Sequence, residues 1–119
     1  MNVKQVAINL ISQVDKGAYS NIALNETFKT LNINSKEKAF MTEIFYGVLR
    51  NKKFLDYIIE KNTKEIKKEW IRNLLRISIY QITFMDSDNK GIVWEATELA
   101  KKYSIAISKF INGTLRNYL

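Results

Sequence analysis

A 119-residue chain with no proline and only four glycines, Gly17, Gly47, Gly91 and Gly113, has few places to reverse direction. Strand-and-turn architectures need frequent reversals built from those residues, so the chain is steered towards long helices joined by a small number of turns. The apolar spacing agrees. Val3, Val6, Ala7, Leu10, Ile11 and Val14 recur at intervals of three and four, which places them on one helical stripe ended by Gly17. Ser20 is placed to cap a second helix burying Leu24, Phe28 and Leu31, and a third starts after Ser35 with a broad face of Phe40, Met41, Ile44, Phe45, Val48 and Leu49.

A short basic turn at Asn51, Lys52 and Lys53 leads to a fourth helix carrying Phe54, Leu55, Ile58 and Ile59, followed by a polar linker towards Glu69. Trp70 opens the strongest segment. Ile71, Leu74, Leu75, Ser78, Ile82 and Met85 form its stripe, Ile77, Ile79 and Phe84 widen it, and it reads as the core of the second half. Asp86 to Gly91 is a turn by composition, and two more helices follow around Val93 to Tyr103 and Ile107 to Leu119. The expectation is an all-α single domain over residues 1–119, a bundle of about seven helices.

Cysteine and histidine are both absent. The usual zinc sites, a thiolate nucleophile, an imidazole general base and disulfides are therefore excluded, and no metal is expected. No signal-peptide pattern opens the chain, and the apolar-rich stretch from Trp70 to Met85 is too short for a membrane span and contains Arg72 and Arg76. A cytoplasmic protein without a membrane partner is expected. Nineteen basic residues against twelve acidic give a net charge of +7, and six of the basic residues against two acidic fall between Lys61 and Tyr80. A basic small domain of this kind suits an anionic partner, nucleic acid first.

Two pentapeptides, Gly47-Val48-Leu49-Arg50-Asn51 and Gly113-Thr114-Leu115-Arg116-Asn117, echo each other as G-x-L-R-N. Glycine inside a helix costs about 1 kcal/mol relative to alanine, so both placements ask for close helix approach. These segments belong to a longer series: Ala18-Tyr19-Ser20-Asn21, Phe45-Tyr46-Gly47-Val48-Leu49-Arg50-Asn51, Tyr80-Gln81-Ile82-Thr83-Phe84-Met85-Asp86, Glu98-Leu99-Ala100-Lys101-Lys102 and Phe110-Ile111-Asn112-Gly113-Thr114-Leu115-Arg116-Asn117. In that order they resemble the NusB-like amino-terminal domain of the RsmB/Sun/Fmu family of ribosomal RNA cytosine methyltransferases, and the resemblance covers essentially the whole chain. Free-standing NusB transcription antitermination factors share the fold and are the alternative; Arg50 and Arg116 favour the methyltransferase branch.

The resemblance implies a non-catalytic module that helps position small-subunit ribosomal RNA for a linked methyltransferase domain. S-adenosylmethionine and the catalytic cysteine would then belong to that linked domain, since this chain has neither a cysteine nor a glycine-rich loop after a strand to hold the cofactor. The alternative implies RNA and a ribosomal protein as partners.

RNA is met through phosphates, 2'-hydroxyls and unpaired bases, which calls for cations along a face with stacking rings between them. Lys68, Arg72, Arg76 and Tyr80 follow one another at intervals of four, on one side of the fifth helix. Arg76 is equally suited to an ion pair inside the bundle, with Glu43 or Glu95. Arg50, Lys52 and Lys53 sit at a helix end, where the macrodipole alone could account for them. Lys4 and Arg116 form a candidate phosphate clamp if the resemblance extends to the start of the first helix. Tyr19, Tyr46 and Trp94 read as packing residues, and Lys36 and Lys38 as solvated.

Overall fold

The computed structural model describes residues 2–119, and among them seven helices and no strand occur. They are α1 (Val3–Asp15), α2 (Ser20–Thr30), α3 (Ser35–Arg50), α4 (Lys52–Asn62), α5 (Glu69–Phe84), α6 (Asn89–Lys101) and α7 (Ile105–Tyr118). Their starts follow from side-chain acceptors for otherwise unpaired backbone N–H groups. Asn2 accepts from the Gln5 amide, Asp88 from Lys90 and Gly91, and Ser104 from Ile107. Asn34 and Glu37 form a reciprocal capping box at α3. Ser20 does not cap α2: Tyr19 occupies the cap position, without a side-chain bond, and Ser20 is the first helical residue. Gly17 has a φ of +109°, a backbone state that a side chain would strain, and it turns the chain from α1 towards α2.

The fifth helix is the core of the whole bundle and not of its second half alone. It packs on α1, α3, α4, α6 and α7, and from Ile71 to Gln81 every residue except Arg72 is buried. Ile82 and Met85, placed on its stripe by spacing, are half-buried, and Phe84 is 50% exposed because the stripe has rotated out of the bundle by the last turn. Around α5 the core is filled by Ile8, Leu10 and Ile11 of α1, Met41, Ile44 and Phe45 of α3, and Leu55 and Ile59 of α4. Each such aliphatic or aromatic side chain contributes about 1.5–3 kcal/mol through removal from water, which makes burial the main source of stability. The helix α2 packs chiefly on α1, and α6 and α7 form the most extensive helix pair.

The two echoing glycines differ. An added Cβ at Gly47 would stand 2.1 Å from Cζ of Tyr80, whose ring crosses α3 there and whose hydroxyl donates to Oε2 of Glu43. Close approach accounts for Gly47. At Gly113 nothing lies within 4 Å of the added atom, so the expected tight packing is corrected: Gly113 faces open space.

Candidate nucleic-acid interface

Three carboxylates and three cations converge where α1, α4 and α5 meet, and they decide which basic residues remain available. Arg76, with a side chain 6% exposed, donates from Nε and Nη2 to the two oxygens of Asp56 at 2.7 and 2.8 Å. Its Nη1 reaches Oδ1 of Asn73 at 2.7 Å and Oδ2 of Asp15 at 3.3 Å. Lys52 pairs with the other oxygen of Asp15, and Arg72 stands 3.6 Å from Asp56. Burial pushes the Asp15 carboxyl up, but Lys52, Glu69 and Arg76 outweigh it and hold the group below the usual carboxylate range. Glu69, beside Asp15, is raised by that contact in turn.

The row at intervals of four on α5 therefore does not form a basic face. Arg76 and Tyr80 are buried, Arg72 is engaged by Asp56, and Lys68 alone is exposed, at the cap position of the helix. Arg76 is tied inside the bundle, but to Asp56 and Asp15 and not to Glu43 or Glu95. Glu43 accepts from Tyr80, with burial and that carboxylate pushing the phenol up.

Lys4 needs the same correction. Its side chain is 5% exposed, and Nζ lies 3.1 Å from Oε2 of Glu95, close enough for an ion pair though not aligned as a hydrogen bond. Burial lowers the pKa of this ammonium and Glu95 only partly restores it. A lysine so held has no free charge to offer a phosphate. The Lys4 half of the clamp is thus replaced by an internal pair, while Arg116 stays exposed.

The structure does bring Arg50, Lys52 and Lys53 together, at the α3–α4 corner, around a shallow depression also lined by Phe54. Arg50 closes α3, where a cation suits the macrodipole, but Lys52 and Lys53 stand in the first turn of α4, where it does not. The sequence reading placed all three at one helix end; two are at the opposite pole. Asp15 offsets Lys52, whereas Arg50 and Lys53 are exposed and no carboxylate lies within 4.0 Å of either among the described residues. Lys68 is likewise unpaired, beside a groove lined by Lys67, Ile107 and Phe110.

Aromatic exposure is the feature that spacing did not disclose. Tyr46 packs against Phe45 as expected, with ring centroids 5.1 Å apart, but Tyr19 is 75% and Trp94 64% exposed. Trp94 lies on α6 off the buried stripe of Ile92, Val93, Ala96, Leu99 and Ala100, and that offset is the signal that could have placed it outside. It lines a cleft between α6 and α7 together with Lys90, Asn112 and Arg116.

An all-helical basic domain with uncompensated cations at its corners is the class that this fold and surface define. The chain belongs to the NusB family, whose model matches residues 1–119. It is 36% identical over 125 residues to the transcription antitermination protein NusB of Clostridium novyi, covering 98% of this chain and 94% of that protein. It is 31% identical over 121 residues to a probable ribosomal RNA small subunit methyltransferase B of Bacillus subtilis, covering 98% of this chain but 27% of that protein. The chain thus spans about a quarter of the methyltransferase relatives it matches. A crystal structure of the antitermination factors NusB and NusE in complex with double-stranded RNA superposes with a TM-score of 0.84 at 22% identity, over 98% of this chain and 92% of that one. No helix among the described residues is long and apolar enough to cross a membrane.

Proposed function

We propose that this protein is a non-catalytic RNA-binding factor of the NusB antitermination type, which meets RNA through the α3–α4 corner and pairs with a ribosomal protein. The observation that carries the RNA contact is the exposure of Arg50 and Lys53 next to Lys52, with no carboxylate within 4.0 Å of either among the described residues. Lys53 in particular stands where the helix dipole opposes it, so local stability does not explain its charge. Support for the antitermination type comes from the degree of likeness, 36% identity to the Clostridium novyi protein against 31% to the Bacillus subtilis enzyme. In the structural relative the partner is NusE. Here the exposed rings of Phe54, Tyr57 and Phe84 offer an apolar surface that suits a protein partner.

Phosphate contacts release counterions, so the logarithm of affinity for RNA should fall linearly with the logarithm of salt concentration, by about 0.7–0.9 per phosphate neutralised. About two to four contacts are expected from a patch this small. Arg50→Ala with Lys53→Ala should weaken binding to all RNA sequences and reduce the slope by about one for each lost contact. Lys36→Ala with Lys38→Ala, both exposed on the first turn of α3, should change neither. Equal losses from both pairs would mean diffuse charge, and absence of binding by the wild type at low salt would reject the RNA reading. RNA binding without capture of a NusE-type ribosomal protein would reject the antitermination type alone.

A further inference from the structure

The two ends of Tyr80 do different things. Its ring belongs to the core, where a phenylalanine would fill the space equally well. The hydroxyl is carried through the notch that Gly47 leaves in α3 and comes out beside two exposed residues, Glu43 and Arg50. Glu43, Gly47 and Arg50 follow one another at intervals of four and three, so they share one stripe of α3 with the notch in its middle. Side chains on a helix lean towards its amino terminus, and Arg50 therefore lies back over the turn that contains Gly47. The phenol proton is given to Oε2 of Glu43, which leaves the lone pairs of the oxygen for a donor on the other side. Arg50 is the group there: burial and Glu43 push the phenol up, and the guanidinium, as charge and donor, pulls it back. The ring is fixed as well. It packs on Phe84 with centroids 5.2 Å apart, and Phe84 meets Phe54 at 5.9 Å, the ring that lines the α3–α4 depression together with Arg50.

We propose that Tyr80 is a positioning residue for the RNA contact of Arg50: through the Gly47 notch its hydroxyl braces the guanidinium from the protein side and leaves the outer nitrogens turned towards a phosphate. A free arginine loses side-chain freedom when it grips a phosphate, whereas a braced one has already lost it, so the contact is tighter by what ordering would have cost. The phenol also occupies Glu43, the acid of this stripe, which is not paired with Arg50. Lys53 lines the same depression from α4 and is not on the notch stripe. The second pentapeptide shows what the brace adds. It has the same glycine and arginine, but nothing reaches the space at Gly113, and Arg116 bonds back along its own helix to Asn112. The inference rests on the RNA reading of the α3–α4 corner and adds to it the residue that prepares one of its two cations.

The test is a double-mutant cycle read by binding of a mixed-sequence ribo-oligonucleotide at low salt. Tyr80→Phe removes the hydroxyl and keeps the ring; it should weaken binding about fivefold, the effect of one hydrogen bond, without changing the salt slope. Arg50→Ala should lower that slope by about one. In the Arg50→Ala background Tyr80→Phe should have no further effect, whereas in the Lys53→Ala background its fivefold effect should persist. Gly47→Ala, which displaces the phenol by a different route, should weaken binding in the same Arg50-dependent way. Nuclear magnetic resonance supplies a readout that packing alone would not move: of the four arginine Nε–H signals, that of Arg50 should shift on Tyr80→Phe and that of Arg72 should not. Thermal melts check that each variant is folded. Loss of binding on Arg50→Ala but none on Tyr80→Phe would overturn the positioning role and leave the RNA reading standing. A Tyr80→Phe effect of equal size with and without Arg50 would also overturn it, since the loss would then be general. If neither Arg50→Ala nor Lys53→Ala weakens binding, the RNA reading of the corner fails and the positioning role falls with it.

Discussion

Replacing Arg76 by alanine is expected to destabilise the protein by about 3 kcal/mol, because truncating one partner of a buried pair costs about 3–5 kcal/mol and Asp56 keeps some water contact. In a domain of this size that lowers the melting temperature by roughly 10–15 °C. Arg72→Ala, which removes a longer and more exposed pair with the same Asp56, should cost no more than about 1 kcal/mol. The contrast separates a contact that organises three helices from one that decorates the surface. Acid should narrow the gap between wild type and Arg76→Ala. The Asp15 carboxyl is depressed in the folded state, so its contribution is complete above the unfolded value of about 3.9 and is lost as pH falls through the lower folded value. Urea titrations at pH 7, 5 and 3 should find the gap equal at the first two and smaller at the third. A gap that already closes at pH 5 would mean that Asp15 is not held ionised by its neighbours.

Alanine at Gly47 should destabilise by about 2 kcal/mol, while alanine at Gly113 should stabilise by roughly 0.5–1 kcal/mol. Both substitutions gain about 1 kcal/mol of helix propensity, so a difference between them measures what the new methyl meets. At Gly47 it meets the Tyr80 ring, which is buried and hydrogen-bonded to Glu43 and cannot withdraw without losing that bond. At Gly113 it meets nothing. Combining Gly47→Ala with Tyr80→Leu should cost less than the sum of the two single changes, since the smaller side chain vacates the collision. Chemical denaturation of the four variants checks this, and equal effects at the two glycines would contradict the asymmetry.

The pentapeptide echo shows where sequence reading ends. Gly47 and Gly113 have the same local pattern, but only the packing of α5 across α3 distinguishes them, and that packing joins residues 33 positions apart. The helices themselves were legible, since apolar periodicity and cap residues act within a few positions, and the shift from Ser20 to Tyr19 at the α2 cap is of one residue. Ion-pair partners were not. Arg76 is joined to Asp15 across 61 positions and to Asp56 across 20, by the convergence of three helices that no spacing encodes. For the same reason Lys4 could be read as a phosphate ligand when it lies buried beside Glu95. Trp94 was recoverable in principle, from its displacement off the apolar stripe of α6; its type, which favours burial, spoke against its position.

The central place of α5 bears on how the chain can fold as it is made. The helices α1, α3 and α4 all rest on a segment that ends at Phe84, more than two-thirds of the way along the chain. As synthesis proceeds from the amino terminus, Ile8, Met41, Ile44 and Leu55 therefore emerge without the surface that will cover them. The bundle cannot close before α5 is available, and α6 and α7, which pack on each other and on α5, are made after it. A nascent chain halted before Glu69 carries the apolar faces of α1, α3 and α4 without the helix that covers them, and chaperones then have an exposed surface to hold.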